Sequence, residues 1–273
     1  MSTAAEKKVI FTGRNINMSI ITDFYVDRLR VRVMDSRAEM GRVAGTEIAE
    51  RLRALLSEQD AVNVIFAAAP SQNEVLQALN AADGIDWARV NAFHMDEYIG
   101  LDRDAPQGFG NFLRERVFSK KPFRSVHYID SAAGNAAAEC ARYAALLSAF
   151  PPDVVVLGIG ENGHIAFNDP WVADFQDPAL VKAVPLDAVC RMQQVNDGCF
   201  ASLDAVPKTA LTLTVPALFA GRYLFCSVPA ATKANAVRRT LRGAISPECP
   251  ATVLRRHPSA NLYCDPDSAG GIL

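Results

Sequence analysis

The chain has 273 residues, half of them hydrophobic and 21% charged, with a formal net charge of −2. This is an ordinary globular composition with room for a sizeable core. It excludes the strongly basic balance of a nucleic-acid or anionic-membrane binder and favours a small-molecule partner. No apolar run reaches the roughly 18–20 residues needed to cross a bilayer.

The opening "MSTAAEKKVIFTG" has no apolar core followed by a cleavage-like site, which predicts a cytoplasmic protein. Six scattered cysteines without a CxxC pair fit reduced thiols.

Strand-like and helix-like stretches then alternate along the chain. Residues 1–28 are expected to form an N-terminal extension, hairpin or cap ahead of a domain over 29–273. "LRVRVMDS" (29–36) reads as a strand, and residues 37–59 place apolar side chains at helical spacing. "AVNVIFAAA" (61–69) is a continuous apolar strand, and "PSQNEVLQALNAA" (70–82) opens with helix-start signals. "VNAFHMDEY" (90–98) reads as one strand, "GNFLRERVF" (110–118) as a helix and "VHYID" (126–130) as a short strand. Residues 136–150 form a helix with an apolar face. "DVVVLGIG" (153–160) is the most buried-looking strand. "TALTLTVPALF" (209–219) runs from strand to helix, "YLFCSVP" (223–229) is a strand, "TKANAVRRTLRG" (232–243) a helix and "NLYCD" (261–265) a closing strand.

Apolar strands separated by helices predict an α/β fold: a mainly parallel, Rossmann-like sheet covered by helices on both faces. Ligands bind such sheets at the carboxyl ends of the strands. Three loops would share that edge. In "AAAPSQNEV", Ser71 and Gln72 lie at a helix N-terminus, where Ser71 either caps the helix or helps to hold an anion. In "HMDEYIG", neighbouring side chains point to opposite faces, so one of Asp96 and Glu97 faces a cleft. A partly desolvated carboxylate there can abstract a proton. In "LGIGENGHIAFNDP", Gly158, Gly160 and Gly163 permit close approach of a ligand. His164 can both accept and donate a proton near neutral pH. Asn162 and Asp169 are placed to orient its ring.

Lys233, at a helix start, opposes the helix dipole, which points to an anionic ligand or else to a solvated lysine. Arg238, Arg239 and Arg242 read as a solvated helix face. Arg255, Arg256 and His257 read as a similar face or as a subunit contact.

"NAFHMDEYIGL", "GNFLRERVF", "LGIGENGHIAFNDP", "VPKTALTLTVPAL" and "TKANAV", in this order, resemble the glucosamine-6-phosphate deaminase (isomerase) family over about residues 30–267. The resemblance implies an enzyme that converts an amino-sugar phosphate to a ketose phosphate and ammonia, with no metal or other cofactor. It implies that Asp96 moves a proton between C2 and C1, that His164 assists ring opening, and that Asn162 and Asp169 orient it. Lys233 corresponds to the family's phosphate-binding lysine. The implied partners are a small-molecule sugar phosphate, no nucleic acid and no membrane, with a homo-oligomer left open.

The chain departs from the family pattern in three places. Asn162 stands where an acid is usual, and an amide cannot stabilise a charged histidine as a carboxylate does. Asp169 stands where glutamate is common. The glycine- and threonine-rich phosphate loop is replaced by "AAAPSQNEV", and the phosphate arginine has no clean counterpart, Arg191 lying nearby but out of register. The phosphate end is therefore expected on Ser71, Gln72, Lys233 and Arg191, or else the substrate is a related sugar that carries its anion differently, with Gly160 and Gly163 making room for the sugar. The basic effector segment of some family members is replaced by "WVADFQDPAL", so that regulation is not expected. The competing expectations are a 6-phosphogluconolactonase-like hydrolase and a sugar-phosphate-binding protein without turnover. The acid of "MDEY" argues against the hydrolase, because a lactonase has no carbon-bound proton to move.

Overall fold

A computed structural model describes residues 19–130 and 132–273. Strands β1 (Ile20–Val26) and β2 (Leu29–Met34) form an antiparallel hairpin. They are followed by α1 (Arg37–Glu58), β3 (Val62–Phe66), α2 (Asn73–Ala81), β4 (Val90–His94), β5 (Asp96–Tyr98) and α3 (Phe109–Leu113). Then come β6 (Ser125–His127), α4 (Ala136–Ala149), β7 (Val154–Leu157), β8 (Val181–Pro185), α5 (Ala188–Asn196) and β9 (Thr209–Leu213). The chain closes with α6 (Val215–Phe219), β10 (Tyr223–Val228), α7 (Ala234–Arg242) and β11 (Ala260–Cys264).

The main sheet has the order β1-β2-β11-β10-β7-β3-β4-β6, parallel throughout except for the β1–β2 pair. The expected α/β architecture is therefore present. The boundary expected at residue 28 falls at the hairpin turn, so residues 20–26 belong to this sheet; residues 1–18 of the expected extension lie outside the described residues.

Strand alternation sorts the core into two layers. Val64, Phe66, Val154 and Val156 pack on one face with residues of α1 and α2. Ile65, Ala67, Val155 and Leu157 pack on the other with residues of α4, α6 and α7. Both faces are thus covered, which is why these strands are apolar without a break.

Two features depart from the sequence reading. The stretch 90–98 is two strands, because the chain turns at Met95 and leaves the main sheet. β5 then joins a second, antiparallel sheet of order β5-β9-β8. Strand β8 and helix α5, both unforeseen, belong to this second layer of structure.

β3 and β7 lie side by side, yet their connections run to opposite edges of the sheet. This switch point opens a crevice at their carboxyl ends.

The position of α2 beside the crevice depends on two glycines of α1. A Cβ on Gly41 would lie 2.2 Å from Glu74 Cβ, and one on Gly45 would lie 2.6 Å from Ala78 Cβ and 2.9 Å from the Val75 carbonyl oxygen. Leucine at 45 must push α2 outward. Gly45→Leu is expected to cost roughly 1–3 kcal/mol of stability, read as a lowered midpoint in denaturant unfolding. An unchanged midpoint would show that the helices do not approach this closely.

Candidate active site

A cavity at the crevice is lined by the ends of four strands of the main sheet and their loops. The loop after β3 supplies Ala67–Ala69, Ser71 and Gln72; the turn after β4 supplies Met95 and Asp96. The loop after β7 supplies Gly158, Gly160 and His164, and the turn after β10 supplies Lys233. Phe109, Ile159, Ala166, Phe167, Gln193 and Gln194 complete the wall.

Asp96 and Glu97 separate as neighbouring strand residues do. Asp96 faces the cavity. Glu97 points the other way and accepts backbone hydrogen bonds from Tyr98 and Phe109 on Oε1 and from Gly110 on Oε2. It thereby fastens the start of α3, with Phe109 in the wall. Burial pushes the Glu97 carboxyl up to about 7, against the pull of those N–H groups. The Asp96 carboxylate has no hydrogen-bond partner among the described residues and is only 6% exposed. Burial first, and the charge of Glu97 second, push its pKa well above the usual carboxylate range. A buried, unpaired acid in a cavity is costly for folding and useful for proton transfer.

The turn that presents Asp96 is held by His94. Its Nε2 accepts the Ile129 N–H at 2.9 Å, so Nδ1 carries the proton and donates to the Asp96 carbonyl oxygen at 2.9 Å. Burial brings the His94 pKa down to about 4, which keeps it neutral. The sequence reading assigned His94 no role.

His164 sits in the glycine loop for steric reasons. A Cβ on Gly160 would lie 2.1 Å from His164 Cε1, so the ring occupies the space that a side chain at 160 would fill. Gly163 has φ of +93°, and a Cβ there would meet Cys249 Sγ at 2.6 Å. Its glycine serves the turn, and it does not line the cavity. The His164 Nδ1 lies 2.8 Å from Asn162 Oδ1 and 3.1 Å from Asp169 Oδ1. Asn162 Nδ2 donates to the same Asp169 oxygen at 2.8 Å. With two acceptors at Nδ1, the proton resides there, and Nε2 is the ring nitrogen left for a ligand. Burial works to raise the Asp169 pKa, but the bond and charge of His164, with help from Asn162 and the Asp187 N–H, hold it below the ordinary range. Asp169 is thus a fixed anion behind the ring.

Cys190 Sγ, His164 and Asp169 offer atoms within 4.8 Å of one another, a possible metal-ligand set. Burial and then the charges of Asp169 and Asp187 push the thiol well up, so it stays protonated and is a poor ligand. The two other groups already bond each other. The trio fits proton orientation better than metal binding.

Lys233 is not a solvated lysine. It is 5% exposed, and its Nζ has no hydrogen-bond partner among the described residues. Ser71 does not cap its helix; its Oγ accepts from Gln72 Nε2 at 3.3 Å. Gln72 also donates to the Ser227 carbonyl oxygen, leaving its Oε1 without a partner. Arg191, expected at the anion, is turned elsewhere: its guanidinium donates to the carbonyl oxygens of Leu203 and Val206, and it does not line the cavity. It staples α5 to the following turn. Arg239 departs from the solvated-face reading, since it donates to the Asn162 carbonyl oxygen and so braces the glycine loop. His257 is buried, bonded to the Gly221 carbonyl oxygen and the Ser259 N–H, and forms no part of an exposed face.

Residues 35–263 match the family described as glucosamine-6-phosphate isomerases/6-phosphogluconolactonase. A glucosamine-6-phosphate deaminase of Lactobacillus delbrueckii subsp. bulgaricus is 29% identical over 241 residues, covering 88% of this chain and 98% of that protein. One from Listeria innocua is 33% identical over 208 residues, covering 76% and 87%. Among solved structures, a monomeric glucosamine-6-phosphate deaminase superposes with a TM-score of 0.79 at 26% identity, covering 88% of this chain and 99% of that one. A 6-phosphogluconolactonase from Shewanella baltica shares the fold, with a TM-score of 0.72 at 19% identity and coverage of 86% and 97%. With a match that spans most of its length, the chain belongs to the glucosamine-6-phosphate isomerase/6-phosphogluconolactonase family.

Proposed function

We propose that this protein is a cytoplasmic aldose–ketose isomerase that deaminates a 2-amino-2-deoxy sugar bearing an anion at its far end, the phosphate in its glucosamine 6-phosphate relatives. The observation that carries the reading is the Asp96 carboxylate, buried and unpaired in the same cavity as a histidine held from behind by an acid. A lactone hydrolase has no carbon-bound proton to move and would leave Asp96 without a task.

The steps follow from the groups present. His164 Nε2 takes the proton of the anomeric hydroxyl and returns one to the ring oxygen, opening the sugar. Its Nδ1–H stays on Asp169 and Asn162 throughout, so the ring keeps its orientation. Asp96 removes the proton from C2 and delivers it to C1, while a second proton passes from the amino nitrogen to O1, with His164 Nε2 as its carrier, which leaves an imine at C2 and an alcohol at C1. Water adds there, ammonia leaves, and the ketose forms; amino sugar plus water gives ketose plus ammonia. Asp96 must be ionised to start. The substrate's own ammonium at C2, brought close to it, favours the charged carboxylate. Asn162 supplies orientation without charge, so Asp169 alone stabilises a protonated His164.

Asp96→Asn removes the proton carrier and keeps the shape. Ammonia release is expected to fall roughly a hundred- to ten-thousandfold, while substrate binding measured by calorimetry survives. A near-normal rate would remove Asp96 from the mechanism.

The pH profile offers a separate check. The base form of Asp96 is required, and its pKa is raised, so kcat/KM is expected to be lost as pH falls through a value above the usual carboxylate range. A wild-type acidic limb at the ordinary aspartate position, near 3.9, would mean that the free carboxyl is not desolvated as described.

A further inference from the structure

Helix α3 starts at Phe109, and its N-cap is Gly108, which has no side chain to cap it. The Glu97 carboxylate caps it from β5 instead. Its Oε1 accepts the Phe109 N–H at 3.0 Å and the Tyr98 N–H at 2.9 Å, and its Oε2 accepts the Gly110 N–H at 2.8 Å. The backbone can close on the carboxylate because residue 110 is glycine. A Cβ there would lie 2.9 Å from Tyr128 Cδ1 and 3.5 Å from Glu97 Oε2.

Phe109 is the residue fixed by this cap, and it touches both halves of the site. Its ring lies 4.9 Å from the ring of Tyr98, on the strand of Asp96. It lies 5.4 Å from the ring of Phe167, on the loop of His164, and the two planes stack within 22°. Phe109 and Phe167 are both buried and both line the cavity that Asp96 faces.

Such a wall matters for the hydrogen that Asp96 carries. Between leaving C2 and reaching C1 it sits on a carboxyl oxygen. A water that reaches the acid in that interval exchanges it for a solvent hydrogen. Apolar rings that exclude water let the same hydrogen arrive at C1.

We propose that Glu97 is a positioning residue for the proton transfer: by capping α3 it clamps Phe109 against Phe167, and the clamped wall keeps solvent from the Asp96 carboxyl during isomerisation. The proposal rests on the isomerase reading above and gives the second acid of "MDEY" a task. The task needs a carboxylate, since an amide would turn an NH2 against one of the backbone N–H groups.

The test is turnover of glucosamine 6-phosphate and galactosamine 6-phosphate by the full chain in D2O. Ammonia is measured, and deuterium at C1 of the ketose is read by NMR. The wild type is expected to place mainly substrate hydrogen at C1. In Glu97→Gln, the ratio of solvent to substrate hydrogen at C1 is expected to rise roughly tenfold or more, the weight of one hydrogen bond to a charged group. Phe109→Ala keeps the cap and removes the ring, and the same rise is expected. A substitution that merely weakened the fold would lower ammonia release and leave this ratio unchanged. Complete exchange in the wild type overturns the proposal. So does an unchanged ratio in Glu97→Gln, or in Phe109→Ala should the first variant not fold. In each of these cases the ammonia released leaves the isomerase reading standing. No ammonia from the wild type with either sugar phosphate overturns both.

Discussion

The site depends on one short strand that two loops share. Thr212 and Leu213 of β9 hold both the Asp96 turn and the His164 loop in place. Asp96 pairs with Thr212 in the second sheet, and the Leu213 N–H bonds the Met95 carbonyl oxygen at 2.8 Å. From the other side, Phe167 N–H donates to Thr212 Oγ1, and Asn168 Nδ2 donates to the Leu213 carbonyl oxygen at 2.8 Å. The acid and the histidine loop come from different strands of the main sheet. Their spacing is set by these bonds, all buried, where a lost partner costs more than a bond is worth in water.

That arrangement explains why the chain breaks its own strand at Met95. A strand that continued straight along the main sheet would carry residues 96–98 away from β9. The turn leaves two buried polar groups to satisfy, and His94 settles both, with one nitrogen donating and the other accepting. A neutral histidine is the side chain that can do this at a corner. It is a positioning residue whose task is the backbone, whereas His164, a second histidine at a strand end, has its donor nitrogen fixed and the other left open.

Much of this was legible in the sequence because it follows from local chemistry. Apolar runs marked the parallel strands, and the glycines around His164 marked a close approach. The alternation of a strand separated Asp96 from Glu97. What was hidden depends on tertiary contacts. "VNAFHMDEY" has the pattern of a continuous strand, and the bond from His94 to the Asp96 carbonyl that turns it cannot be read from spacing. β8 buries only Val181 and Val184, a weak pattern, and α5 buries Gln193 and Gln194 while Val189 and Met192 are exposed. Gln193 and Gln194 therefore look like solvated glutamines until the second sheet folds α5 against the cavity. Arg191 had the right charge near the right place, but the carbonyls of residues 203 and 206 claim it. A charge in sequence names a possible partner; the competing acceptors nearby decide which it takes.

Asp96 and Lys233 in the cavity, and Asp169 behind the His164 ring, are held in different degrees of discomfort. Asp169 is buried yet comfortable, because the imidazole and an amide surround it, so it stays charged and does not move protons. Asp96 is buried with no partner, and Lys233 is buried with none; burial biases both toward their neutral forms. An amino sugar with an anionic tail carries the two charges that relieve them, an ammonium for Asp96 and an anion for Lys233. Folding leaves both groups uncompensated at opposite duties of one cavity, and only a ligand with both charges on one short frame repays both at once. A neutral sugar would relieve neither, and a simple anion only one.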